Sequence, residues 1–345
     1  MRYGGLQVIG DTGEPAGVSN YVTLVLIHGF SFHSGIFSCL LPYSTQYKCR
    51  IVLVNRRGYP GAVPYSEEDF QLLEAAQKET LHGQESLCEF LKAGAFGIHQ
   101  FIAEFIVEGG IPLSGGIILA GWSMCGAWFN ALLAYGSTFP ASDVDVASYL
   151  RRVVMYDPPY HALGFTPPSV IYNPLSDPDI PASDRAQRFS AWVSGYFAHP
   201  EDGSLEQHTP LIDPAPTLVN MKAEDVAANL APVPTAPGGS DALVFTALPL
   251  GGANTIRRAA LHPEDKEGWG GVEWRYVWCD RSAWEMPFGA AAMREELANA
   301  RETGQETRKI VLIRWRGANH FAHWDHPEQT LKALLADGND EIEIC

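Results

Sequence analysis

Six short runs in this chain are apolar on both faces: YVTLVLIHG (21–29), CRIVLVNRRG (49–58), GGIILAGWS (115–123), RRVVMYDPP (151–159), VEWRYVWCD (272–280) and RKIVLIRWRG (308–317). A strand with one face in water alternates apolar and polar residues. Runs of Val, Ile and Leu without that alternation mark strands of a parallel sheet covered on both sides. Between them lie stretches with helical apolar spacing, at Glu67–Leu91, Gly97–Glu108, Ala127–Tyr135, Phe288–Arg301 and Pro327–Leu335. Strand–helix alternation with right-handed crossovers predicts an α/β fold with a mostly parallel, doubly wound sheet.

One interval breaks the rhythm. Residues 160–271 show no clear strand–helix unit, and prolines crowd TPPSVIYNPLSDPDIP, DPAPTLVN and APVPTAPGG. The interval is too long for a loop in a compact domain. Aromatics such as Trp192, Tyr196 and Phe197 speak for an ordered element. The reading is therefore a core of residues 1–159 and 272–345 carrying an inserted cap, 160–271, with helices expected near 184–198, 222–230 and 253–260.

A net charge of −16 over 345 residues repels phosphate backbones and anionic lipid heads, so neither nucleic acid nor a membrane is an expected partner. MRYGGLQVIGDTGEPAG lacks the apolar core of a secretory signal. Six cysteines (Cys39, Cys49, Cys88, Cys125, Cys279, Cys345) form no CxxC pair, so free thiols and a cytoplasmic protein are expected. No cofactor is called for. The oligomeric state stays open, a homodimer included.

The stretch GGIILAGWSMCGAWFNALLAYG (115–136) carries the chemistry. It is long enough to span a bilayer, but it breaks at GWSMCG between a strand-like run and a helical one. A sharp strand-to-helix turn needs small residues two before and two after its apex. Gly121 and Cys125 flank Ser123 at those places, which would present the Ser123 hydroxyl at a helix N-terminus that favours negative charge. A second register would put Cys125 at the apex.

GWSMCG after a buried strand resembles the nucleophile elbow of the α/β-hydrolase superfamily. LVLIHGF resembles that family's third strand and His-Gly oxyanion turn, IVLVNRRGYPGAVPYS its fourth strand and Arg-Gly-Tyr loop, and RGANHFAHWDHPEQTLKAL its last strand, histidine loop and final helix. The whole run is similar to uncharacterised fungal α/β-hydrolases. The resemblance implies an α/β-hydrolase fold with a lid, Ser123 as nucleophile and His320 as general base. It also implies an oxyanion hole formed by the backbone N–H groups of Phe30 and Met124. His28 reads as a structural hydrogen-bonder, Arg56 and Arg57 as structural. His323 and His326 read as a helix start and its surface rather than as metal ligands, and no metal is expected.

The acid has two candidates. The family's usual carboxylate falls after the seventh strand, where WCDRSAWEMP has Ser282 in the expected position and Asp280 two residues earlier. Some members, certain lactone hydrolases among them, place it after the sixth strand, where this chain has Asp157. Either strand tip can reach the histidine. Asp157 is favoured, with Asp280 as the alternative.

A serine nucleophile argues against the aspartate-dependent branches, the epoxide hydrolases and dehalogenases. The apolar cap suggests a neutral organic substrate. The expectation is a carboxylesterase or lactonase working through a Ser-His-Asp triad and an acyl-enzyme. An acyltransferase or non-hydrolytic lyase on the same residues, or a ligand-binding receptor that kept the fold, are the alternatives.

Overall fold

The computed structural model describes residues 1–181, 183–200, 202–338 and 342–343. Cys345 lies outside them. All six apolar runs are strands: β3 (Val22–Ile27), β4 (Cys49–Asn55), β5 (Ile117–Trp122), β6 (Leu150–Tyr156), β7 (Glu273–Cys279) and β8 (Ile310–Arg316). They pair in parallel in the order β4-β3-β5-β6-β7-β8, and a short β9 (Ile342–Glu343) continues beyond β8. The fold is the α/β-hydrolase type that the sequence predicts. At the other edge is an element the apolar pattern missed, the hairpin β1 (Arg2–Tyr3) and β2 (Leu6–Asp11), antiparallel to β4. Its turn is Gly4–Gly5, with φ of 51° and 83°, a two-residue reversal that side chains rarely tolerate.

Helices cover both faces. The predicted helix over 67–91 is two helices, α1 (Glu67–Ala75) and α2 (Leu81–Gly109), and α2 absorbs the segment expected separately at 97–108. Ser66 and Asp69 form a capping box at the start of α1. Thr80 accepts from Gly83 N–H and starts a new helix after the break. Gly94 does not interrupt α2, because it lets Trp128 approach: an added Cβ there would stand 2.5 Å from the indole. By length and hydropathy α2 could cross a bilayer, yet 61% of its most apolar window is buried inside the fold. It packs against α1 and α3 (Gly126–Tyr135).

Between β6 and β7 the described residues hold helices but no strand. They include α4 (Arg185–Val193), α5 (Ala223–Asn229), α6 (Ser240–Ala247) and α7 (Ala253–Leu261), close to the three expected helices with α6 added. Trp192, Tyr196 and Phe197 are buried, Trp192 and Phe197 in the core layer shared with Trp284 and Phe321. By contrast, α6 packs on α1, and α7 on α3 and α2, on the opposite face of the sheet. The chain closes with α8 (Glu285–Glu302), the single turn α9 (Ala322–Asp325) and α10 (Pro327–Leu335), where Pro327 occupies the first helical position.

Candidate active site

The elbow follows β5. Ser123 takes φ +58°, a left-handed conformation that costs a serine about 1 kcal/mol or more. Surrounding packing imposes it. A Cβ at Gly121 would meet the Phe129 ring at 2.6 Å, and one at Gly29 would meet Ser123 Cβ at 2.6 Å. Cys125 is not the apex: it is fully buried with φ −57°, and burial pushes its thiol up to about 12.

Residues far apart in sequence converge on Ser123. His320 Nε2 lies 2.9 Å from Ser123 Oγ, and His320 Nδ1 lies 2.7 Å from Asp157 Oδ2. A carboxylate only accepts, so Nδ1 carries the proton and Nε2 is left to accept from the serine hydroxyl. Asp157, fully buried with φ +49° at the tip of β6, accepts two further bonds. Cys279 N–H donates to Oδ1 at 2.8 Å and Ser282 Oγ–H to Oδ2 at 2.6 Å. The residue standing where the resemblance implies a carboxylate thus donates to the carboxylate that reaches the histidine.

Asp280 faces the other way. Its Oδ2 accepts from Arg314 at 2.8 and 3.0 Å and its Oδ1 from Gly317 N–H at 2.7 Å, tying the end of β7 to β8. His323 stands at a helix start, in α9, as the sequence suggests, but not on a surface. It is wholly buried among Phe37, Trp122 and Tyr156, and burial followed by the neighbouring His320 drives its pKa well down. The surface reading fails for His323 because α9 is one turn folded inward, its histidine ring against Trp122 and Tyr156 of the sheet. His326 is half-buried.

The imidazole of His320 is held from two sides. Trp122, just before the serine, lies over it with ring centroids 4.8 Å apart and donates Nε1–H to the His320 carbonyl at 3.0 Å. Asn319 donates to Ser194 O and Thr217 Oγ1, binding the histidine loop to the segment between β6 and β7.

His28 and Arg56 are structural, and the form of that structure matters. Arg56 donates to Gly29 O at 2.8 Å and to His28 O at 3.2 Å, while its backbone N–H donates to His28 Nε2 at 3.1 Å. The guanidinium is buried against Asp241 of α6 at 2.7 Å, and Tyr59 Oη donates to the same carboxylate at 2.5 Å. Gly29 O belongs to the peptide whose N–H is Phe30's. In a planar trans peptide the two point in opposite directions, so bonds holding the oxygen also aim the N–H. Arg57 pairs separately with Asp69. Neither arginine's partner lies near it in sequence, so no local pattern could reveal the pairing with Asp241.

A family model described as "Alpha/beta hydrolase family" matches residues 24–333. The chain belongs to that family. Hydrolases are the class this membership supports. No curated protein matches the sequence of this α/β hydrolase. Among solved structures it is similar to Cfl2 from Burkholderia cenocepacia, with 14% identity, coverage of 92% of this chain and 88% of that one, and a TM-score of 0.52. A thermophilic esterase from Thermogutta terrifontis gives 15% identity, 95% and 91% coverage and a TM-score of 0.43. Potato epoxide hydrolase I gives 13%, 97% and 96%, and 0.49. At 14% identity the likeness to Cfl2 speaks for the fold alone. Among the described residues no group of three or more His, Cys, Asp or Glu side chains could hold a metal ion.

Proposed function

We propose that this α/β hydrolase is a serine hydrolase that opens an ester or lactone bond of a neutral, largely apolar small molecule. The observation that carries the reading is the chain of hydrogen bonds from Ser123 Oγ through His320 to Asp157, at 2.9 and 2.7 Å, starting from a serine held at positive φ. In this reading His320 Nε2 takes the serine proton as Oγ attacks the carbonyl carbon. The oxyanion is met by the N–H groups of Phe30 and Met124. His320 then returns the proton to the departing alcohol, and a water repeats the sequence on the acyl-enzyme. Asp157 orients the ring and stabilises its cation.

Choice of ester chemistry is supported by the nucleophile's identity and by the rings near it. Phe30 packs on Phe189 and Phe245. A cytoplasmic location belongs to the same proposal, supported by the five described cysteines, all free. A fluorophosphonate probe tests the reading. The expected result is labelling of wild-type protein at Ser123, none of Ser123→Ala, and hydrolysis of short p-nitrophenyl esters or of simple lactones. Absence of both labelling and hydrolysis refutes it.

A further inference from the structure

A second polar cluster lies beside the elbow, and the chemistry proposed above does not use it. The turn Tyr160–Leu163 follows Asp157 after two prolines and packs against Ser123–Cys125. Its His161 is 4% exposed, with Nε2 3.8 Å from Oε2 of Glu285, which is 5% exposed at the start of α8. Glu285 Oε1 accepts from Asn173 Nδ2 at 3.0 Å. The opposite ring atom, His161 Nδ1, is buried and has no hydrogen-bond partner among the described residues. The ring stands edge-on to Phe245 at 5.1 Å. Phe245 leans on Phe30 at 5.4 Å, and Phe30 meets Phe189 at 6.2 Å. Nδ1 is thus a bare polar atom in an aromatic wall that begins at the residue expected to donate to the oxyanion.

Burying a polar atom without a partner is costly, so an atom kept in that state near a reaction centre invites a ligand group. At 3.8 Å the Glu285 carboxylate is a charged neighbour of Nε2 and makes no direct hydrogen bond to it. An imidazole nitrogen accepts when bare and donates when it carries the proton. A hydroxyl meets both forms, donating to the first and accepting from the second. The geometry points to His161, packed beside the hydrogen-bonded pair Glu285 and Asn173, as the recognition point for a hydroxyl group on the substrate. The preferred ester or lactone is accordingly a hydroxylated one. This inference rests on the serine-hydrolase reading of Ser123.

The test compares p-nitrophenyl phenylacetate with its meta- and para-hydroxyphenyl analogues. Wild-type protein should prefer at least one hydroxylated isomer by about tenfold or more in kcat/KM, since a site built for a hydroxyl discriminates against its absence. His161→Phe should bring the ratio close to one. Glu285→Gln, which keeps an acceptor for Asn173, should lower it too and serves if the first variant does not fold. The ratio is internal to each preparation, so a general loss of activity does not mimic the result. If wild type hydrolyses the parent ester in a Ser123-dependent way with no hydroxyl preference, the inference is overturned and the hydrolase reading stands. A preference that survives His161→Phe overturns it as well. If no ester is cleaved and Ser123 takes no probe, the hydrolase reading fails and this inference falls with it.

Discussion

Replacing Asp157 by asparagine tests the acid, and the structure dictates the size of the effect. Three donors fix the carboxylate's environment: Cys279 N–H faces Oδ1 and cannot turn away, while Oδ2 faces His320 Nδ1 and the rotatable Ser282 hydroxyl. In Asp157→Asn the new side chain must leave its carbonyl oxygen to Cys279, so its NH₂ points at His320. That amide donates to Nδ1 and forces the tautomer protonated at Nε2, which cannot take a proton from Ser123. The same tautomer error in a serine protease costs about 10⁴ in kcat, or about 5.4 kcal/mol at 1.36 kcal/mol per tenfold. A loss of that order is expected here, measured as kcat on p-nitrophenyl acetate with the fold checked by circular dichroism. The neighbour offers a rescue. Ser282 Oγ is 2.6 Å from Asp157 Oδ2, so in Asp157→Ala/Ser282→Asp the carboxylate reappears beside His320. It should recover about a hundredfold over Asp157→Ala, part of the interval just estimated. Asp157→Asn retaining activity within tenfold of wild type refutes the reasoning.

Asp280→Asn should leave kcat within about threefold and cost under about 1 kcal/mol in urea unfolding, since its ion pair with Arg314 is partly exposed; a loss of turnover matching Asp157→Asn would make Asp280 the acid. Arg56→Met strands Asp241 in the interior and should destabilise by about 3–5 kcal/mol. Adding Asp241→Leu should restore much of that stability but not all of kcat, because Gly29 O has lost its shortest bond, that from Arg56, and keeps only those from His28 Nδ1 and Tyr59 Oη at 3.0 and 3.5 Å; full recovery of kcat counts against a positioning role. Burial holds His28 and His323 neutral, with pKa values well below the ordinary one. The unfolded chain then binds protons below about pH 6.5 that the folded chain refuses, so stability is complete above that pH and falls beneath it, by up to ~1.4 kcal/mol per pH unit for each residue. His323→Phe should flatten the slope of stability against pH between about 6.5 and 5 by one proton; an unchanged slope counts against it.

What was legible in the sequence was what period and local punctuation encode. The six strands are written as continuous apolar runs, and α10 begins and ends where Pro327 and the amphipathic spacing say. The elbow is visible because Gly121 is a steric necessity against Phe129. The hairpin at residues 2–11 escaped because its strands are short and half-exposed, leaving only Gly4–Gly5 as a signal. The break between α1 and α2 was hidden because one helical apolar period runs through it, and only the Thr80 cap marks it. The acid could be narrowed to two strand tips and no further, since the choice depends on where Ser282 and Cys279 point after folding. Arg56–Asp241 and His161–Glu285 join residues more than a hundred positions apart, and no spacing rule reaches that far.

Asp157 is the last residue before the chain leaves the sheet, and Pro158 and Pro159 come directly after it. A carboxylate at that junction would swing with whatever moves beyond it, were the next two residues free to turn. Their rings restrict φ, and the Asp157 N–H is clamped to Val277 O at 2.7 Å. The pair therefore works as a stiff collar that isolates the Asp157 carboxylate from whatever the segment after it does. Exchanging the segment between β6 and β7 should accordingly begin after Pro159, never before it.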